Sequence, residues 1–332
     1  MIFYLLLFAF SGFLLLWSSN WLVNSISQIA RYLKWREFVI AFFVMAIVAS
    51  FPNMFVGIIA AFNNAPELSF GDVVGNSVVD LTLVVAFAVF FGKGLRGDGP
   101  LVQKSSLITA VVAILPLLLI LDSQLGRGDA IVLLLVFLLY SFWLFSKRGD
   151  YTHVFNHAAP VQAAKPPIAR LRTFFVNILK TTTGIFVLLA SAYGAVESVL
   201  FFAQEFQIPI AFIGIFVFGL GSALPEIYFT IAAARKGNSH VILGDLMGAV
   251  IVMSTLVLGI VALIQPIRID DFSPFALARF FLIISALFFL IFLRTNRKVT
   301  RKEGTFLLLL YVIFILGEIY IQTIGLPAFL DF

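Results

Sequence analysis

A polar, helix-breaking motif occurs twice in this chain, 173 residues apart. Ser50-Phe51-Pro52-Asn53 is followed by Gly71-Asp72-Val73-Val74-Gly75, and Ala223-Leu224-Pro225-Glu226 by Gly244-Asp245-Leu246-Met247-Gly248. The proline-to-glycine separation is 19 residues in both copies. Both copies lie in apolar segments long enough to cross a bilayer. Prolines, glycines and acids at that depth are costly, and they mark a pathway more often than a packing seam. A duplicated motif of this kind predicts two repeats with a site between them.

Composition sets the solvent. The chain is 61% hydrophobic and 12% charged, far from the balance of a soluble domain. It reads as an all-α polytopic membrane protein. A span needs about 20 apolar residues. On that ruler ten spans are expected, near 2–23, 37–62, 68–91, 102–121, 128–146, 173–203, 209–234, 241–264, 274–293 and 304–326. The polar segment 147–172 divides them, giving a first five-helix repeat at 1–146, a linker and a second repeat at 173–332. The first span has no basic region before it and reads as a retained helix. The absence of cysteine excludes disulfides and thiolate sites.

Basic residues orient the chain. With the N-terminus outside, 18 of the 22 Lys and Arg fall on the inner side, including Arg31, Lys93, Arg96, Arg235, Arg297 and Lys298. Arg127 and Arg268 stay outside, and Lys180 and Arg279 fall inside spans. Both termini are therefore expected outside and the 147–172 loop in the cytoplasm, in what is expected to be a plasma (inner) membrane. Because five is odd, the two repeats have inverted topology, the plan of many ion-coupled transporters. The net charge of +5 reflects these loops and is not a nucleic-acid signal.

Glu226 and Asp80 carry the most information. An ionised carboxylate at mid-membrane costs about 2.5–3.5 kcal/mol, and almost no basic residue is available in the spans to pair with it. A metal cation or a proton is the simpler partner. Pro52 and Pro225 each free a backbone carbonyl, and hard cations take oxygen ligands. Ser222 and Glu226 share a helix face at i,i+4, as do Asn76 and Asp80. Ser50 and Asn53 are at i,i+3. Asp72 and Asp245 open the third and eighth spans and read either as helix caps or as second-tier ligands. Gly75 and Gly248 suit close helix approach. Glu197 and Glu318 lie near helix ends and are expected to face headgroups or solvent. His153 and His157 are at i,i+4 in a Pro-flanked loop and read as solvated. No hydrolase, phosphate-loop or dinucleotide motif is present, so no enzymatic activity and no cofactor are expected.

At these residues the chain resembles the cation/calcium exchanger superfamily, whose best-known members are sodium/calcium exchangers. That family carries inverted repeats with Gly-Thr-Ser-Leu-Pro-Glu on one helix and Gly-Asn-x-x-Gly-Ser-Asn-x-x-Asn/Asp on the next. Here the second repeat reads Gly221-Ser222-Ala223-Leu224-Pro225-Glu226 and the first Val48-Ala49-Ser50-Phe51-Pro52-Asn53. The resemblance implies ten helices in two inverted repeats, and secondary antiport of a cation, with Ca2+ favoured, against Na+ or H+. It also implies that helices 1 and 6 move against the site. The ligands it leaves in place are Ser50, Asn53, Asn76, Asp80, Ser222 and Glu226, with Ser77 of lower rank.

The departures fall on the ion positions. Asn53 stands where the family has a second glutamate. Ala49, Ala223 and Ala249 replace hydroxyls, and Met253 replaces the last polar position. At least one monovalent site is then expected to be lost, with altered stoichiometry. Two other readings stay open: a transport-inactive sensor or scaffold, and a cation channel or uniporter. The partners are inorganic cations and lipid. Nothing in the sequence sets an oligomeric state, and a monomer is compatible with it.

Overall fold

The computed structural model describes residues 1–32, 47–146, 167–269, 273–295 and 297–324. His153 and His157 lie outside these residues, as does the first part of the second expected span. Ten helices are present among them. In chain order they are α1 (Ile2–Tyr32), α2 (Phe51–Phe62), α3 (Glu67–Phe91), α4 (Pro100–Leu119) and α5 (Arg127–Ser146). The second half holds α6 (Pro167–Phe206), α7 (Ile210–Arg235), α8 (Ser239–Ile264), α9 (Ser273–Thr295) and α10 (Arg301–Ile324). All but α2 are long and apolar enough to span a membrane. α6 begins inside the segment expected as linker.

The inversion is visible in the loops. β1 (Leu95–Arg96), after α3, pairs antiparallel with β4 (Lys298–Val299), before α10. β2 (Gln124–Leu125), before α5, pairs with β3 (Ile267–Arg268), after α8. Exchanging the repeats turns one pair into the other, and each pair ties loops at one end of the bundle. Helix packing follows the same exchange: α5 lies on α8 as α10 lies on α3, and α4 lies on α8 as α9 lies on α3. α3 and α8 are thereby the most buried helices. They run in opposite directions, since α3 ends at the β1–β4 pair and α8 at the β2–β3 pair.

Each central helix contains one widened π turn, Asp80–Val84 in α3 and Val252–Val257 in α8. At matched positions the hydroxyls of Thr82 and Thr255 donate to the carbonyls of Val78 and Ile251, both at 2.5 Å. A hydroxyl that bonds back four residues competes with the helical ladder and helps open such a turn.

The two prolines act differently. Pro52 stands in the first turn of α2, where a missing N–H costs nothing, and a turn at Ala49 and Ser50 precedes it. Pro225 lies inside α7, whose break falls earlier, in a π turn at Gly214–Phe218.

α3 and α7 cross backbone against backbone. A Cβ on Gly71 would lie 2.6 Å from the Ala211 carbonyl oxygen, and one on Gly219 would lie 2.8 Å from the Asn76 nitrogen. A Cβ on Gly75 would fall onto the Ile215 carbonyl oxygen itself. Gly75 therefore has the packing role expected of it. Its counterpart Gly248 is buried. The motif glycine Gly244 faces open space.

α1 lies antiparallel along α6 from end to end. Tyr4 stacks on Phe201 at 4.0 Å, Leu22 fills the space over Gly184, and Tyr32 stacks on Phe174 at 4.4 Å. Asn177 Nδ2 donates to Gln28 Oε1 at 3.0 Å between them.

Two expectations are corrected here. Asp72 and Asp245 are not helix caps: α3 begins at Glu67 behind Pro66, and α8 at Ser239 behind Asn238, so both acids stand in helix interiors. Glu318 does not face solvent or headgroups. It is 1% exposed and reaches the backbone of Ala278 on α9. Tyr311, Phe314 and Glu318 share one face of α10 at i, i+3 and i+7, and that face is packed on α9.

Candidate functional site

The crossing of α3 and α7 sets the site. With no side chain between the backbones, Ser222 and Glu226 of α7 come against Asn76 and Asp80 of α3. Ser222 Oγ lies 3.0 Å from Asn76 Oδ1 and 3.4 Å from Asp72 Oδ1, donating to one of them at a time. Asn76 Nδ2 donates to Asp80 Oδ2 at 3.1 Å. The Asp80 and Glu226 carboxyls are direct neighbours. Hydroxyl, amide and two acids thus form one continuous polar chain across two helices.

The repeat partners of these residues form the opposite half. Asn53 corresponds to Glu226 and Met253 to Asp80. Asn53 Nδ2 lies 3.4 Å from Met253 Sδ. The two departures that most alter the motif therefore touch each other, just as the two retained acids do. One half of the site is carboxyl against carboxyl, and the other is amide against thioether. A thioether is a soft, weak ligand, and hard cations avoid it.

A cavity of about 100 Å3 opens here, lined by Ser50, Asn53, Ser222, Pro225, Glu226 and Met253, with Ala49 and Pro52. Its remaining wall is Ser19, Asn20 and Val23 of α1. Ser19 and Asn20 were not anticipated. The run Ser18-Ser19-Asn20 in an otherwise apolar span was the available signal. Asn20 is exposed, so the cavity opens beside it.

A second polar group lies outside the cavity lining. Asn76, Asp80, Asp72 and Ser77 stand behind Glu226 and Ser222, each at most 1% exposed. Within that group Asp72 Oδ2, Asp80 Oδ1 and Ser77 Oγ have no hydrogen-bond partner. Unpaired buried oxygens are rare, and here three of them cluster behind the cavity. The charged groups that act on Asp72, Asp80, Glu226 and Asp245 are one another, with no basic side chain among the described residues. No three acids among the described residues converge closely enough to cage a metal alone. A cation there would draw on serine, amide and backbone oxygens as well.

Comparison with known proteins agrees with this fold. The family model described as sodium/calcium exchanger protein matches residues 3–146 and again 177–320. Among curated relatives, the sodium/calcium exchanger MaX1 of Methanosarcina acetivorans is 26% identical over 91% of this chain and 95% of its own length. The inner membrane protein YrbG of Escherichia coli is 25% identical, over 89% of this chain and 90% of its own. A solved structure of the sodium-calcium exchanger NCX_Mj, soaked with Na+ and Sr2+, superposes with a TM-score of 0.62 and 24% identity. The match covers 95% of this chain and 99% of that one, and it speaks to the fold. One family model matched twice, once in each five-helix half, is the duplication read independently of the motif. The chain is an integral membrane protein built as two inverted five-helix repeats, and it belongs to the sodium/calcium exchanger family of cation exchangers.

Proposed function

We propose that the chain exchanges Ca2+ for Na+ or H+ by alternating access, with Glu226 and Asp80 as the paired acids that hold the cation and its counter-ion in turn. The observation that carries this reading is the carboxyl pair itself. It lies at the crossing of the two repeats, beside a polar cavity, with no basic partner among the described residues. Ser50, Asn53, Ser222 and Asn76 supply further oxygens. Two carboxyls side by side repel when both are ionised, and a cation or a proton relieves that repulsion. Each bound species is thereby exchangeable for another.

Access follows from packing. α1 and α6 form one antiparallel pair, and α1 supplies a cavity wall. Movement of that pair across Ser19 and Asn20 would open and close the cavity. The orientation is supported by the clustering of Lys93, Arg96, Arg297 and Lys298 around the β1–β4 pair, with Arg127 and Arg268 at the other end. Arg235 joins the first group, 5.4 Å above the Phe91 ring.

Because the chain has no cysteine, each single-cysteine variant reports alone. A membrane-impermeant thiol reagent added to cells is expected to label Arg127→Cys and Arg268→Cys and to spare Lys93→Cys and Arg297→Cys. The opposite pattern reverses the orientation.

The function is tested in proteoliposomes loaded with Na+, or buffered at low pH, and diluted into radioactive Ca2+. Uptake that requires the opposing ion, and reverses when the gradients are exchanged, is the expected result. Uptake without a counter-ion would make the protein a channel or uniporter. No uptake and no stabilisation by any cation would make it a sensor or scaffold.

A further inference from the structure

Asp72 and Asp245 are left without a role by an exchange centre built on Glu226 and Asp80. We propose that they are two transit sites for the exchanged cation, one on each side of that centre, which pass the ion between water and the paired carboxyls. The proposal rests on the exchange reading above.

Their placement is the first ground. Asp72 and Asp245 occupy matched positions in α3 and α8, eight residues before Asp80 and Met253. Eight helical residues span about 12 Å along the axis. The two helices run in opposite directions, so Asp72 lies toward the β2–β3 end of the bundle and Asp245 toward the β1–β4 end. On α3, Asp72, Asn76 and Asp80 stand at i, i+4 and i+8 on one face, and this row leads from the flank to the centre.

The state of the side chains is the second ground. Asp72 is 1% exposed, and its Oδ2 has no hydrogen-bond partner. Its Oδ1 lies beside the hydroxyl of Ser222, a cavity residue. Most buried side-chain oxygens are hydrogen-bonded, so an unpaired one is notable. Glu226 acts electrostatically on both acids, and both in turn act on Asp80. An ion at either flank is therefore within the field of the centre. The two flanks also differ in burial. Asp72 is fully buried, whereas Asp245 is half-buried.

Asparagine at either position keeps shape and hydrogen bonding and removes only the charge. Initial rates of radioactive Ca2+ uptake are measured against Ca2+ concentration in right-side-out and inverted vesicles carrying the wild type, Asp72→Asn, Asp245→Asn or Glu226→Gln. Asp72→Asn is expected to raise the apparent KM about tenfold for Ca2+ arriving from the β2–β3 side and to leave the other side unchanged. Asp245→Asn is expected to do the reverse. If both variants match the wild type from both sides, or each shifts both sides alike, the transit sites are refuted while exchange at Glu226 stands. If the wild type itself shows no saturable uptake, the exchange reading falls and the transit sites fall with it.

Discussion

Glu226→Gln is expected to abolish exchange in protein that still folds and inserts. Glutamine keeps the length and the oxygen of the side chain and removes the charge. A charge-assisted contact contributes about 3 kcal/mol, so its loss lowers the rate at least about a hundredfold. Asp80→Asn acts on the same pair and is expected to have a similar effect. Because the two groups are direct neighbours, the double variant is expected to be little worse than either single one, as for residues that act as a unit. Asn53→Ala is the contrasting case. Its partner is the Met253 thioether, so only a weak interaction is lost, and exchange is expected to persist with an altered apparent affinity. Cation flux in vesicles, read beside the melting curve of each variant, separates loss of the site from loss of the fold. Equal impairment by Asn53→Ala and Glu226→Gln would show that the two halves of the site are equivalent after all.

The second large effect lies in the fold. Gly75→Ala is expected to destabilise the protein by about 3 kcal/mol, the upper range for overpacking a tight core. The new Cβ would fall onto the carbonyl oxygen of Ile215. Backbone cannot move aside as a flexible side chain can. Relief requires α3 and α7 to separate, which pulls Ser222 and Glu226 away from Asn76 and Asp80, so exchange is expected to fall along with stability. Gly244→Ala is the matched control. That glycine belongs to the second copy of the same motif, yet nothing lies within 4 Å of its Cβ position. Alanine there is expected to be neutral or stabilising by about 0.5–1 kcal/mol through helix propensity. Thermal unfolding in detergent, followed by tryptophan fluorescence, distinguishes the pair. Equal melting temperatures for the two variants would contradict the crossing.

Much of this was legible in the residues. The equal spacing of Pro52 to Gly71 and Pro225 to Gly244 gave the duplication, and the odd helix count gave its inversion. Spacing at i,i+4 placed Asn76 with Asp80 and Ser222 with Glu226, because a helix repeats every 3.6 residues. The contact of Asn53 with Met253 was not legible, since it joins different helices and depends on the angle at which they cross. The caps were misread for a local reason: Gly71 and Gly244 precede Asp72 and Asp245 as a turn would, but Pro66 and Asn238 start the helices earlier. Glycine at those positions serves helix contact in one copy and open space in the other. Glu318 was misread because distance from the helix end was weighed and facing was not. The row of Tyr311 and Phe314 already pointed it inward. Nothing in the sequence beyond a short polar run sets Ser19 and Asn20 apart, since a hydroxyl or an amide in a membrane helix usually bonds to its own backbone, as Asn20 does to the carbonyl of Leu16.

The central claim is that the site is asymmetric, with ion-holding charge on the Glu226–Asp80 half and none on the Asn53–Met253 half. The coupling ratio tests it most directly. Proteoliposomes are given a fixed Ca2+ gradient, and the opposing Na+ gradient is varied until net Ca2+ flux stops, at clamped pH and membrane potential. The account predicts a balance point at fewer than three sodium ions per calcium, or no dependence on Na+ and a balance set by pH instead. A balance at three sodium ions per calcium would mean that the amide–thioether half still holds its ion, and it would contradict the account.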